Sequence, residues 1–401
     1  GGPRAQLPRR RRAQLSGAPE PEFRGRPPCW LAPPRRLSRR LRAGGLCAGR
    51  GPAHSGAMAH PPPDPERGAP RLALTCGDPA GIGPEIVGKL LRRPEWRGQA
   101  RLVVLGPAWV LRQVLPGGLS IFEGAGAREA ALAHGGEALG LATEGPTGVA
   151  IGQVSAAGGS AALAALRAGH ELCLAGRLDA LVTAPVNKEA LHLAGERVEG
   201  QTELLGRWCA APVEMLAIAG RLRVLLLTRH MPLRRAIESL DGERIAAHLE
   251  LLQRELVRFG IPQPRLACAG LNPHAGENGL LGSEEQELIA PVLERLRQRG
   301  LDVAGPLSPD TVFLQASAGR YDAVLALYHD QAFIPVKLAD PLGGLTLLLG
   351  LPYLRFSPAH GTAFDIAGRG IASEQNLLAA VLEAARWVRA GRGNGALSAV
   401  P

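Results

Sequence analysis

Short apolar runs of strand length alternate with helix-period stretches from Arg71 to Arg389, and no other feature of this chain restricts its fold as much. A strand that is apolar on both faces needs cover on both. On that ground Arg71–Thr75, Arg101–Leu105, Asp179–Thr183, Arg221–Thr228, Arg265–Ala269, Ala323–Tyr328 and Leu345–Leu349 read as buried, mostly parallel strands. Helical patterns fall between them: Glu85–Leu91 opened by Pro84, Pro107–Leu115, Ser160–Ala175, Asn187–Leu193, and one near Glu374–Arg389. The clearest helix is Gly242–Phe259, where Ile245, Leu249, Leu252, Leu256 and Phe259 share a face and Gly260 ends the run. Ser283–Arg299 opens on Ser-Glu-Glu-Gln in capping-box spacing. The expected fold is α/β, a mostly parallel sheet with helices on both faces.

Charge divides the chain unevenly. The net charge is +10, yet the first 57 residues hold 13 Arg, no Lys and only Glu20 and Glu22 as acids, so the remainder is close to neutral. That Arg/Pro-rich segment has no sustained apolar period and is not expected to fold. It reads as a disordered tail, or as sequence upstream of the true start at Met58, the first methionine. A secretory signal is excluded by the missing apolar core, and three Ser argue against a transit peptide. Near-neutral charge after Met58 argues against a nucleic-acid partner. The six cysteines form no CxxC pair, which suits reduced thiols in a cytoplasmic protein, and no apolar run reaches membrane-spanning length.

In open α/β sheets ligands bind beyond the carboxyl ends of strands. Three of the ten histidines follow strand-like runs: His230, His274 in LNPHAGENG, and His329 in YHDQ, separated by 44 and 55 residues. Imidazole nitrogens suit Zn²⁺ or Co²⁺, and three protein ligands leave positions open for substrate. Asp310 and Asp330 are placed to orient such ligands or join them. His248 is expected to be exposed on its helix. His134, His170 and His192 sit in or beside Ala-rich helical stretches without chemistry nearby, while His360 in SPAHGTAFD remains a candidate. GDPAGIGPEI (Gly77–Ile86) joins a strand to a helix, where backbone N–H groups suit an anion, although it is not GxGxxG. Lys188, Lys337 and Arg355 are cations suited to a phosphate or carboxylate, each with a plain reading as a surface charge.

The motifs TCGDPAGIGPEI, TAPVNKEAL, GQTELLG, RHMPLR, GLNPHAGENGLLGSEE, GPLSPDTVF, YHDQAFIPVK and GLPYLRFSPAHGTAFDIAG occur in this order from Thr75 to Gly368. Together they closely resemble the 4-hydroxythreonine-4-phosphate dehydrogenase family of the vitamin B6 pathway, over essentially all of the chain after Met58. The resemblance implies a two-domain α/β/α subunit with an active site in the interdomain cleft, completed by the second subunit of a homodimer. The first domain is expected over 70–200 plus 346–395, and the second, carrying metal ligands and the dimer interface, over 201–345. It implies one divalent metal (Zn, Mg or Co) on His230, His274 and His329, the three that strand-end position also selects. Asp310 and Asp330 would stand behind those ligands.

Implied substrate contacts are Gln201, Thr202, Lys337, Thr346 and Arg355. Gln201 stands where the family has His, Thr346 where Asn is usual, Phe356 where Thr is usual and Ala359 where Asp is usual. The implied reaction is NAD- or NADP-dependent oxidation of the secondary alcohol of 4-phosphohydroxy-L-threonine, followed by loss of CO₂ to give 3-amino-2-oxopropyl phosphate. Lys337 or a metal-linked water would take the hydroxyl proton. The cofactor walls are expected at Gly77, Asp78, Gly81 and Gly83 and at His360 and Gly361. The changes at Gln201 and Thr346 motivate an alternative, a sister dehydrogenase acting on phosphothreonate, phosphoerythronate or a dihydrodiol carboxylate. An acyl- or phosphate-transfer enzyme on a similar scaffold is a further alternative, one that needs no such histidine set.

Overall fold

The computed structural model describes residues 68–340 and 344–393, so the expected tail at 1–57 lies outside the described residues. Its strands are β1 (Arg71–Thr75), β2 (Arg101–Pro107), β3 (Ile121–Phe122), β4 (Ala138–Thr143), β5 (Ala180–Thr183) and β6 (Glu214–Ala219). These are followed by β7 (Leu222–Leu226), β8 (Leu266–Ala269), β9 (Val303–Leu307), β10 (Ala323–Ala326), β11 (Leu345–Leu349) and β12 (Leu354–Pro358). They form a twelve-stranded sheet in the order β3-β4-β2-β1-β5-β12-β11-β6-β7-β10-β8-β9.

Both faces are covered, as the apolar strands require. Leu72 and Leu74 of β1 pack with Ile86, Leu90 and Trp387 on one side, while Ala73 turns to Ala165 and Leu166 on the other. In β7, Leu225 joins the first side, whereas Val224 and Leu226 meet Val312, Phe313 and Val336. The helix Gly242–Arg258 begins at Asp241, whose carboxylate accepts the Arg244 N–H at 2.9 Å, and it buries Ile245, Leu249, Leu252 and Leu256.

The pairing is mostly parallel, with the exceptions gathered at the centre. Two parallel blocks, β3-β4-β2-β1-β5-β12 and β7-β10-β8-β9, flank β11 and β6, and the joints β12–β11, β11–β6 and β6–β7 are antiparallel. Strand direction therefore reverses in the middle of the sheet, which is where a crevice for ligands opens.

Several expectations needed correction. The run Arg221–Thr228 is the second arm of a hairpin whose first arm, β6, escaped notice; Gly220 turns it at φ 56°. His329 begins a helix, His329–Ala339, that was not among the expected elements and that contains Pro335. His248 is buried rather than exposed, its Nδ1 2.7 Å from the Arg244 carbonyl. The Ser-Glu-Glu-Gln box makes no side-chain cap; residues Glu285–Ile289 form a π-helical turn before the helix Ala290–Gln298.

Gly159 lets the helix Ala156–Leu174 touch the helix Lys188–Leu193, since a Cβ there would lie 2.0 Å from the Ala190 carbonyl oxygen. Gly159→Ala is expected to lower stability by about 1–3 kcal/mol through overpacking. An unchanged denaturation midpoint would contradict this close approach.

Candidate active site

A cavity of about 420 Å³ opens over the antiparallel centre of the sheet. Its walls come from the exits of β5, β7 and β10, from β6, β11 and β12, and from the start of the helix Gln201–Cys209. Of the residues singled out in the sequence, Gln201, Thr202, His230, His329, Lys337, Thr346, Arg355, His360 and Gly361 line it, together with Lys188. His274, Asp310, Asp330, Gly77, Asp78, Gly81 and Gly83 do not.

Arg355 dominates the electrostatics. It is 3 % exposed in β12, its Nη2 donates to Thr183 Oγ1 at 2.6 Å, and its Nε has no hydrogen-bond partner. No ion-pair partner for it is found among the described residues, and burial pushes its pKa down to about 10. A buried guanidinium without a carboxylate is costly unless an anion arrives to meet it. Lys188, Arg229 and Lys337 add positive charge to the same walls, against Glu199 and Glu203. Arg229 and Glu203 stand 3.7 Å apart. Gln201 Nε2 donates to the Ala184 carbonyl at 3.3 Å, which leaves Oε1 buried without a partner. Thr346 and Thr202 are both buried at the cavity wall.

His230 and His329 come together, their ring centroids 5.3 Å apart. Burial, then the Lys188 and His329 charges, push the His230 pKa down, which favours the neutral imidazole. His329 Nδ1 lies 2.8 Å from Asp330 Oδ1, and its ring meets Phe333 at 4.7 Å between centroids, tilted by 30°; the Lys337 ammonium sits 6.0 Å from the Phe333 ring centre. His274 stands apart. Its side chain is 64 % exposed and its Nδ1 lies 3.2 Å from Glu277 Oε2. Among the described residues no group of three or more His, Cys, Asp or Glu side chains is disposed to hold a metal ion within one chain. Asp310, bonded by the Ser308 hydroxyl at 2.5 Å, shares a separate surface hollow with Asp330, Leu314, Ile334 and Leu338.

The Gly77–Pro84 turn packs against the segment after His360 instead of enclosing open space. The Ile82 N–H donates to the Thr362 carbonyl at 3.0 Å, and a Cβ on Gly81 would lie 2.9 Å from Thr362. Asp78 is fully buried, and that burial raises its pKa; Oδ1 accepts the Ala80 N–H at 2.9 Å while Oδ2 has no partner.

Sequence reasoning missed Thr183, Arg229, Glu199 and Glu203 as neighbours of these groups. The first two had a usable signal, since Thr183 ends a strand-like run and Arg229 adjoins His230.

Comparison with known proteins bears on the family and the fold. The family model described as pyridoxal phosphate biosynthetic protein PdxA matches residues 99–384. The chain is similar to D-threonate 4-phosphate dehydrogenase of Pectobacterium atrosepticum, with 40 % identity over 314 residues, covering 76 % of this chain and 95 % of the relative. It is similar also to 4-hydroxythreonine-4-phosphate dehydrogenase of Beijerinckia indica, with 42 % identity over 311 residues, covering 76 % and 91 %. The crystal structure of 4-hydroxythreonine-4-phosphate dehydrogenase from Klebsiella pneumoniae superposes with a TM-score of 0.72 at 39 % identity, covering 80 % of this chain and 98 % of that one. A family match over most of the chain, relatives about 40 % identical over their length and a shared fold lead to one assignment: the chain belongs to the PdxA family of pyridoxal phosphate biosynthetic proteins.

Proposed function

We propose that this protein is a dehydrogenase of pyridoxal phosphate biosynthesis that oxidises the secondary alcohol of 4-phosphohydroxy-L-threonine with NAD or NADP. The observation that carries the reading is Arg355, a buried guanidinium with no ion pair among the described residues, in one cavity with Lys188, Lys337 and paired imidazoles. In the reaction the carbinol hydrogen leaves as hydride, the hydroxyl releases its proton, and the resulting 2-amino-3-oxo acid loses CO₂ to give 3-amino-2-oxopropyl phosphate.

The donor set fits a divalent cation. His230 and His329 supply two imidazoles 5.3 Å apart by ring centroid, ligands that suit zinc or cobalt. The third would come from the partner subunit's His274, since this chain's own His274 does not line the cavity and its side chain is 64 % exposed. Exposed apolar side chains beside these loops, Met231 and Leu233 after His230 and Leu280 and Leu281 after His274, support a homodimer that covers them. In this reading segments 70–200 plus 346–395 and 201–345 are the lobes on either side of the cleft.

When bound, the metal supplies Lewis acidity at the reacting oxygen and the nicotinamide supplies the hydride acceptor. The chain's own residues do the positioning. Arg355, its fork held by Thr183, and Lys337 bind the phosphate and carboxylate. Thr202 and Thr346 offer hydroxyls, and Gln201, its Nε2 engaged by the Ala184 carbonyl, puts a neutral side chain where the family has His. Asp330 orients the His329 ring through Nδ1. Gly361 and His360, which line the cavity, would border the cofactor.

Steady-state NADH formation on 4-phosphohydroxy-L-threonine and on D-threonate 4-phosphate tests the reading. A higher kcat/KM for the first substrate is expected. A clear preference for the second would move the protein to the sister activity.

A further inference from the structure

Three strand exits carry the imidazole-bearing loops, and a chain of buried hydrogen bonds crosses all three. Beyond β7, the Leu227 N–H donates to the Ala326 carbonyl and the Thr228 hydroxyl to the Leu327 carbonyl, both at 2.8 Å. The Leu327 N–H donates to Gln331 Oε1 at 2.7 Å, and Gln331 Nε2 donates to the Gly270 carbonyl at 2.7 Å. This amide has a single sensible orientation, because its two neighbours are one donor and one acceptor. Beyond Gly270, the N–H groups of Leu271 and Asn272 both donate to Glu285 Oε1 at 2.7 Å, and Asn272 Nδ2 donates to Glu285 Oε2 at 2.9 Å. Thr228, Gln331 and Glu285 are 1 %, 6 % and 2 % exposed, and none of them lines the cavity.

The loop at the end of this chain needs such support. His274, Ala275, Gly276, Glu277 and Asn278 are consecutive residues with φ between 44° and 79°, one turn of left-handed helix. Left-handed backbone costs roughly 1–2 kcal/mol for an ordinary residue, and four of the five carry a side chain. Strain of that kind persists only where the surroundings over-determine it. Glu285 meets that need closely: a Cβ on Gly276 would lie 2.8 Å from its Oε2, and one on Gly270 3.1 Å from its Oε1.

We propose that Thr228, Gln331 and Glu285 are positioning residues, a buried girdle that holds the loops of His230, His329 and His274 at fixed offsets so that their imidazoles are set for a divalent cation before it binds. The girdle also fixes the spacing between the imidazole pair a subunit builds and the single imidazole it lends. This rests on the metal reading above.

The test uses the full chain, titrated with Co²⁺ in competition with a chelator and followed by visible d–d absorption. Calorimetry alongside verifies that each variant is folded. Thr228→Val and Gln331→Met, close in shape to the originals, are expected to weaken Co²⁺ binding by about 10- to 100-fold and to alter the spectrum. Thr228→Ser, which keeps the hydroxyl, is expected to retain the wild-type affinity. A merely structural role would lower the melting temperature and leave affinity and spectrum of the folded protein unchanged. That outcome in Thr228→Val and Gln331→Met, with wild type binding Co²⁺, overturns the girdle and spares the metal reading. A wild type that binds no Co²⁺ overturns both. Should Gln331→Met fail to fold, the Thr228→Val and Thr228→Ser pair decides alone: equal affinities overturn the proposal.

Discussion

Replacing Arg355 with methionine is expected to lower kcat/KM for the phosphorylated substrate by about 100-fold or more without destabilising the protein. Each hydrogen bond to a charged group is worth about 1.5–3 kcal/mol, and the guanidinium offers two in parallel to one anion. Lysine should not rescue it, because an ammonium lacks the planar fork. The stability side follows from burial. A pKa pushed down to about 10 means that burial penalises the charged form, on the order of 3 kcal/mol. Below about 10 both folded and unfolded chains carry the proton, so the penalty is present in full at neutral pH and is relieved only as pH rises above that value. Methionine removes the penalty but strands the Thr183 hydroxyl, itself fully buried, at about 1–3 kcal/mol. The two effects nearly cancel. The double variant Arg355→Met, Thr183→Val should therefore melt higher than wild type while remaining inactive. A double variant that melts well below wild type would show that Arg355 is a structural residue and not a waiting anion site.

His329→Ala is expected to remove bound metal and to lower kcat by about 10³-fold, with a smaller change in KM. A metal Lewis acid supplies several kcal/mol of barrier reduction, at 1.36 kcal/mol per tenfold in rate. In the proposed reading phosphate and carboxylate recognition rests on Arg355 and Lys337 and should survive the change. Metal content by elemental analysis and steady-state kinetics check this together. A variant that keeps wild-type kcat, or wild type whose rate is untouched by exhaustive chelation, would remove the metal from the mechanism. The adjacent Asp330→Asn should give a milder form of the same loss, since Asp330 lies 2.8 Å from His329 Nδ1 and does not line the cavity itself.

Much of the site could be read one residue at a time. His230 and His329 were selected because each follows a strand-like apolar run, and they meet because β7 and β10 are parallel neighbours in the sheet. Lys337 and Arg355 stood out as cations suited to an anion. Arg355, whose plain reading was a surface charge, is instead buried within β12, a strand whose Arg-Phe-Ser-Pro run carries no clean alternation. β6 went unseen because EMLAIA follows a helix closely and pairs antiparallel through a tight turn at Gly220. The Gly77–Gly83 turn looked like an anion cradle from its glycines. In the fold those glycines serve close packing: Gly77 fits beneath Pro185 and Gly83 beneath Cys76.

Apolar runs and residue chemistry, both local properties of the chain, were enough to specify an α/β sheet and titratable side chains at its strand exits, and the ordered motifs carried the resemblance to the family. The partnerships were decided only in three dimensions, because they join groups far apart in sequence. Thr183 meets Arg355 across 172 positions, and Gln331 reaches Gly270 across 61. No periodicity encodes which strands become neighbours, so neither the cost of burying Arg355 nor the separation of His274 from the other two imidazoles is written in the order of residues.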